Sequence, residues 1–438
     1  MPHRLLALLV LLSGCGARST LSIEGEPAAD PDAAVEPAPP DEEDPPELPE
    51  LPELPPVEPI GECEATGVRG LSVSDPVSLE VADRSVFLAS VAGDTGGFLA
   101  VVEDRWDFTR KIVRLSGDGG QVEWSTEWAP GNGAKIASSA ETGTYALTTL
   151  NRSLDRVTVE VGTPAIDTMV LAAAVELGPT SEGILYAVDP VFAAGEWVVG
   201  YRTEEAAVVR TLPTPADGGW AFEHRYGADV ALAADSTTGI TYVAIYRPGQ
   251  DFQITKMGPD GDPLPADGPV AFDPPLEDVL GLSASGWNDR VFVLGLRGRR
   301  VDDTLEACLL RPADLDFASC IALSSGLVPG SAALSSQVLD VRVREMALAA
   351  VVHRTPDEGF VLDLAWTVDW HDGSSLSSGA RVDVADDDTG INTPDSNELF
   401  GPMWGGVDVV PIRCGVLVAW GQMNGSGRIG TAVVRFSP

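Results

Sequence analysis

The chain has 438 residues, with 66 Asp or Glu against 28 Lys or Arg and a formal net charge of −38 at pH 7. A surface this acidic repels nucleic acid and anionic lipid headgroups and offers no basic patch to release counterions, so both are excluded as electrostatic partners. Cysteine is scarce, five in all, and the count becomes informative only once the N-terminus has been read.

The chain opens Met1-Pro2-His3-Arg4, a short basic start, and continues as an apolar run over residues 5–12. A membrane-spanning helix needs about 20 apolar residues, so this run predicts the h-region of a cleaved secretory signal. It ends in Leu12-Ser13-Gly14-Cys15, which resembles the lipobox of bacterial lipoproteins. The resemblance implies cleavage before Cys15 and attachment of a palmitate-type diacylglyceryl lipid to its thiol. The partner is then a membrane, reached through the lipid. Gly16 follows the cysteine where Asp would retain such proteins at the inner membrane, which implies the outer membrane of a Gram-negative bacterium, on either face. An ordinary signal peptide with a cysteine near its end is the alternative.

After a signal peptide of residues 1–14, residues 15–60 form an acidic, Pro-rich linker. Between residues 23 and 60 there are 13 Asp or Glu and no Lys or Arg. With almost nothing to bury, the segment is expected to be disordered. Glu47-Leu48-Pro49, Glu50-Leu51-Pro52 and Glu53-Leu54-Pro55 repeat every three residues, the period of polyproline II. At about 3.1 Å per residue, roughly 40 residues hold a domain up to ~120 Å from its anchor. A spacer through a crowded envelope and a passive tether fit equally well.

From residue 61 the pattern changes to apolar or alternating runs of four to eight residues, separated by Gly, Asp, Asn and Pro turns. This is an all-β signature. The runs recur at a spacing of roughly 50 residues. One copy comprises residues 229–235, 241–246 and 252–257, then the turn Pro259-Asp260-Gly261-Asp262. Each unit supplies about four strands, the content of a β-propeller blade. Seven units begin near residues 82, 134, 183, 228, 277, 337 and 405, so residues 61–438 are expected to form a seven-bladed propeller. Two tandem sandwiches are the alternative.

The string Leu115-Ser116-Gly117-Asp118-Gly119-Gly120-Gln121-Val122-Glu123-Trp124, a strand, an Asp-Gly turn and a Trp-bearing strand, resembles PQQ-like and related bacterial propeller repeats. The resemblance is diffuse along the domain and implies the fold without carrying over a cofactor site. The same string approximates the Asp-box turn of sialidase-like propellers, with its tryptophan one residue late.

A seven-unit ring makes a statement about closure. Only three strands follow residue 405, near residues 407–411, 415–423 and 428–436, so the fourth strand of the last blade must come from the N-terminus, near residues 68–73. With Cys15 assigned to lipid, four cysteines remain, and three pairings are open. On the propeller reading, Cys63 beside the closing strand pairs with Cys414 in the last blade. Such a bridge contributes about 4–5 kcal/mol in the chain-entropy model. Cys308 and Cys320 flank Asp314 symmetrically, and in a hairpin centred there they stand opposite each other. Buried free thiols are the alternative.

No convergent catalytic set emerges. His224, His353 and His371 lack metal-ligand spacing. Gly281-Leu282-Ser283-Ala284-Ser285-Gly286 misses the nucleophile elbow, and Gly425-Ser426-Gly427-Arg428-Ile429-Gly430 precedes a strand where a dinucleotide site needs a helix. No cofactor is implied, apart from Ca²⁺ at an acidic loop that includes Asp386, Asp388 and Asp395. Counted from Asp386, Gly390 falls where an EF-hand needs a ligand, and a solvated acidic loop is the better reading. Trp366, Trp370, Trp404 and Trp420 are expected to wedge between blades.

The first functional reading is a lipid-anchored propeller that binds a protein or glycan, or acts as a scaffold, without catalysis. The second is a propeller hydrolase, lyase or quinone-dependent dehydrogenase with its site at the central channel. Polar residues from several blades around that channel, with an acid of shifted pKa, favour the second. A structural part of an envelope assembly is a third reading.

Overall fold

The computed structural model describes residues 70–437 apart from 84–85, 94–95, 105–108, 129–131, 152, 166–167, 178–182, 204, 213–218, 226–228, 236–237, 247–252, 264–278, 288–289, 300–303, 311–316, 326–331, 342–343, 356–358, 369–376, 383–405, 413–414 and 423–426. Among these residues there are 29 strands in seven antiparallel sheets. The chain enters as β1 (Gly70–Val73) and β2 (Val77–Glu80). Blade 1 is β3 (Val86–Gly93), β4 (Gly97–Asp104), β5 (Arg110–Ser116) and β6 (Val122–Trp128). Blade 2 is β7 (Asn132–Ser139), β8 (Thr144–Leu150), β9 (Val157–Pro164) and β10 (Met169–Leu177). Blade 3 contains β11 (Ile184–Ala187), β12 (Val191–Ala193), β13 (Glu196–Thr203), β14 (Ala206–Leu212) and β15 (Ala221–Arg225). Blade 4 shows β16 (Asp229–Asp235), β17 (Ile240–Tyr246) and β18 (Gln253–Met257).

Blade 5 is β19 (Val279–Trp287), β20 (Arg290–Arg299), β21 (Thr304–Leu310) and β22 (Phe317–Ser325). Blade 6 is β23 (Ala332–Val341), β24 (Arg344–Thr355), β25 (Gly359–Val368) and β26 (Ser377–Val382). Blade 7 begins with β27 (Val407–Ile412), β28 (Gly415–Gly421) and β29 (Arg428–Ser437). The innermost strands touch in the order β3, β7, β12, β16, β19, β23, β27 and back to β3. Seven sheets joined edge to centre in a closed circuit are a β-propeller, as the repeat spacing predicts.

The N-terminus closes the ring. β1 runs antiparallel to the end of β29, pairing Leu71 with Phe436 and Val73 with Val434. β2 then takes the other half of β29, pairing Val77 with Thr431 and Glu80 with Arg428. The closing segment is therefore longer than residues 68–73 alone. Pro76 interrupts it, because proline supplies no ladder N–H and restricts the residue before it. Ser74 bridges the break: its N–H donates to Val433 O, and Val433 N–H donates to Ser74 Oγ, both at 2.9 Å. The same device divides the inner strand of blade 3, where Pro190 separates β11 from β12 while both lie against β13. Counting each interrupted segment as one strand gives blades 3 and 7 four strands each.

The apolar core is divided among the seams between blades. Second strands are covered on both sides, so every residue of β4 and β28 is buried. This explains the near-continuous apolar runs of the sequence. β6 at the rim of blade 1 alternates half-buried and exposed residues. Leu88, Phe98 and Leu115 of blade 1 pack with Val410, Leu417 and Ile429 of blade 7 across the closing seam. Met346 and Leu348 of blade 6 pack with Val409 and Trp420 of blade 7, with Trp366 half-buried beside them. Trp420 thus wedges between blades as expected. It pairs with Gly430 in the ladder, where a Cβ would lie 2.2 Å from the indole Cε2.

Candidate functional site

The inner strands bring polar side chains from five blades to one place on the ring axis. Asp408 sits on β27 within the apolar string Val407-Asp408-Val409-Val410, and the strand points it across two seams at once. Its Oδ2 accepts from Ser90 Oγ at 2.9 Å and from Val91 N at 2.7 Å, both on β3. Its Oδ1 accepts from Ser335 Oγ on β23 at 2.8 Å and from its own neighbour Val409 N at 2.9 Å. The innermost strand of a blade has one edge without a ladder partner, and side-chain acceptors are one way to satisfy its amides. Asp408 does this for Val91.

Blade 3, the fourth blade to take part, supplies the second carboxylate of the cluster through the Asp189-Pro190 break. Asp189 Oδ1 lies 3.3 Å from Ser90 Oγ and 3.7 Å from Lys135 Nζ on β7. Blades 1 and 3 are not neighbours in the ring, so a contact between Ser90 and Asp189 is made only across the axis. The Asp189 side chain is 57% exposed, whereas that of Lys135 is 15% exposed. Lys135 therefore lies under the carboxylate, with Asp189 facing solvent.

The electrostatics follow from this layout. Asp408 is half-buried by area, yet its carboxyl is ringed by protein groups. Burial pushes its pKa up, the negative charge of Asp189 adds to the rise, and Lys135 with the Val91 and Ser335 donors opposes it. Four donors occupy the lone-pair positions that a carboxylate offers. Ser90 carries one hydroxyl proton, and its shortest contact commits it to Asp408. Ser335 Oγ donates to Asp408 and accepts from Val409 N at 3.1 Å. The inner part of the cluster thus spends its hydrogen bonds on itself, and the open group is Asp189, with Lys135 beneath it.

A second ionic group ties blades 1 and 2 farther from the axis. Glu103 is wholly buried, its Oε1 accepting from Ala134 N at 2.9 Å, and burial raises its pKa above the usual range. Its ladder partner Arg110 is also buried, which lowers the guanidinium's pKa, while Glu103 and Glu160 hold it up. Trp128 Nε1 donates to Glu160 Oε2 at 2.7 Å.

The structure brings together few of the residues that the sequence singles out. Cys308 on β21 and Cys320 on β22 are register partners, directly opposite as the hairpin argument requires. Cys15, Cys63 and Cys414 lie outside the described residues, as do His371, Trp370, Trp404 and the loop of Asp386, Asp388 and Asp395. His224 falls on β15 and His353 on β24, in different blades. The Gly281 string lies inside β19, and Arg428 begins β29, so neither motif meets a helix. Among the described residues, no group of three or more His, Cys, Asp or Glu is placed to hold a metal.

The Asp-Gly turn of blade 1 is structural. Asp118 Oδ1 accepts from Ser116 Oγ at 2.5 Å and Gly120 N at 3.0 Å, and these two bonds hold its pKa below the ordinary value. Gly119 takes φ +68°, and Thr431 of blade 7 donates to its carbonyl at 2.8 Å. The turn is a rivet across the closing seam. Sequence reasoning missed the axial cluster because a lone Asp in an apolar strand and an Asp-Pro pair read as ordinary strand and turn.

No family model matches the chain, and no curated protein matches it by sequence. Among solved structures, the chain is similar to the Dos1 propeller at 8% identity and a TM-score of 0.45, covering 82% of this chain and 95% of that one. It is also similar to the C-terminal WD40 domain of Sif2 (9% identity, TM-score 0.43, 83% of this chain and 99% of that one). A member of the DUF4221 family from Bacteroides vulgatus gives 8% identity and a TM-score of 0.41, over 84% of this chain and 99% of that one.

Proposed function

We propose that this chain is a lipid-anchored protein of the bacterial outer membrane whose propeller is a non-catalytic binding or scaffold module for a protein or glycan partner. The Leu12-Ser13-Gly14-Cys15 motif after the apolar run supports the anchor, and the acidic Pro-rich linker supports a domain held away from its membrane. The observation that carries the non-catalytic reading is the saturation of Asp408. A general base needs a lone pair free for the substrate proton, whereas every acceptor position here serves Ser90, Val91, Ser335 or Val409. The group acts as a clasp among blades 1, 6 and 7.

The enzyme reading keeps one observation in its favour. Polar groups from five blades do meet at the axis, with an acid of raised pKa among them. If there is turnover, Asp189 and Lys135 are the groups that carry it. The test has two arms. Cys15→Ser should move the protein from the membrane to the soluble fraction; unchanged fractionation would sink the lipoprotein reading. The purified chain, assayed on ester, glycoside and polyuronate substrates and on alcohols with added quinone cofactor, should show no turnover. Turnover that disappears in an Asp189→Asn, Lys135→Met double variant would establish the enzyme instead.

A further inference from the structure

We propose that the outer edge of blade 2, strand β10, is a strand-addition site for an extended partner segment that is apolar at alternate positions and basic at its ends. The proposal rests on the binding-module reading above and names where such a partner docks. Among the described residues β10 ends its sheet, with β9 on one side and no strand on the other. Its edge amides and carbonyls are therefore free to template another strand. Edge strands normally discourage this with charge, and β6 at the rim of blade 1 does so with exposed Glu123 and Glu127.

β10 departs from that pattern. Residues 170–174 are uncharged and exposed on both faces. Val170 and Leu171 are 54% and 42% exposed, two of the three large hydrophobic side chains exposed among the described residues. Met169, the first residue of β10, is buried in the cluster against which half-buried Trp124 and Trp128 of blade 1 pack. A pleated apolar strand offers the cross-strand pairs that stabilise an added strand. A register shift between Leu171 and Ala173 falls within the exposed run, and the one charge on the strand, Glu176, is paired with Arg156 of blade 2; from Ala173 to Leu177 the strand pairs regularly with β9.

Charge decides among occupants. The chain carries −38, so a second copy arriving at the same edge brings like charge against like, whereas a basic segment is attracted. The Pro-rich part of the chain's own linker, residues 27–59, is excluded by its composition, since its prolines cannot feed a ladder.

The test uses the full chain and a labelled synthetic peptide of alternating valine and threonine with two lysines at each end. Anisotropy should report binding that weakens at least tenfold with glutamates in place of the lysines, and equally in the exposed-site variant Val170→Glu/Leu171→Glu. Hydrogen exchange should show protection of β10 amides when the lysine peptide is bound. Equal binding to the double variant, no binding, or protection elsewhere would overturn the site. Sedimentation showing a dimer that the double variant abolishes would assign the edge to a second copy and also overturn it. An envelope partner cross-linked equally by the parent and double variant would refute β10 alone and leave the binding-module reading standing.

Discussion

Replacing Asp408 measures how much the ring depends on its axial clasp. Asp408→Ala removes an acceptor with four donors from three blades. Two of those donors have alternatives. Val409 N retains Ser335 Oγ at 3.1 Å, and Ser90 Oγ can turn to Ile136 O at 3.3 Å. Val91 N loses the partner at 2.7 Å, and an orphaned buried donor costs about 1–3 kcal/mol. Hydrogen bonds to a charged group contribute roughly 1.5–3 kcal/mol each, but the carboxylate also carries a burial penalty that the variant relieves. The net expectation is a loss of about 2–4 kcal/mol.

For a domain of roughly 380 residues the unfolding entropy near Tm is about 0.8 kcal/mol/K, so the expected fall in Tm is about 3–5 °C. Asp408→Asn keeps one acceptor and removes the charge, and it should lose less. The pH dependence gives a second handle. Because the folded pKa of Asp408 is raised above its ordinary value, the native state binds more protons than the unfolded state between that value and the raised one. Wild-type stability therefore falls, relative to Asp408→Asn, as pH rises through this window, and the difference is flat above it. Thermal unfolding followed by near-UV circular dichroism at a fixed scan rate checks both statements. An alanine variant within 1 °C of wild type would refute the clasp, and a wild-type advantage over Asn that grows with pH would refute the upward direction of the Asp408 pKa.

Leu79 on the closing strand is 8% exposed, while Val77 beside it is 38% exposed. Leu79→Ala should cost about 2–4 kcal/mol and Val77→Ala less than about 1 kcal/mol; equal effects in urea unfolding would mean that β2 does not secure blade 7. At Gly119, φ is +68° and a Cβ would lie 2.5 Å from Leu417 Cδ1. Gly119→Ala should thus lower stability by about 1–3 kcal/mol, and an unchanged melting curve would contradict the rivet. Non-reducing peptide mapping should recover Cys308 joined to Cys320, and Cys63 joined to Cys414; crossed pairs would undermine the blade register. Calorimetric titration with Ca²⁺ should give little heat, and tight binding would show that Asp386, Asp388 and Asp395 form a site.

The all-β class, the seven units and the need for an N-terminal closing strand were legible along the chain because each is a local or periodic property. Alternation and turn residues set the strands, with β16 and β17 falling within a residue of the runs read at 229–235 and 241–246. The opposition of Cys308 and Cys320 followed from symmetry about one turn, and the ladder realises it. None of this reaches the axis. Ser90, Lys135, Asp189, Ser335 and Asp408 are up to 318 positions apart, and nothing in their flanking residues distinguishes them. They meet because a closed ring points its inner strands at one line, where residues of blades 1 and 3 touch without being neighbours. The exposure of Val170 and Leu171 at the sheet edge is likewise a tertiary fact, since apolar residues are left outward only by where β10 falls in its blade. The sequence by itself determined the strands and how they are counted; which side chains share an environment was decided only when the last strand closed on the first.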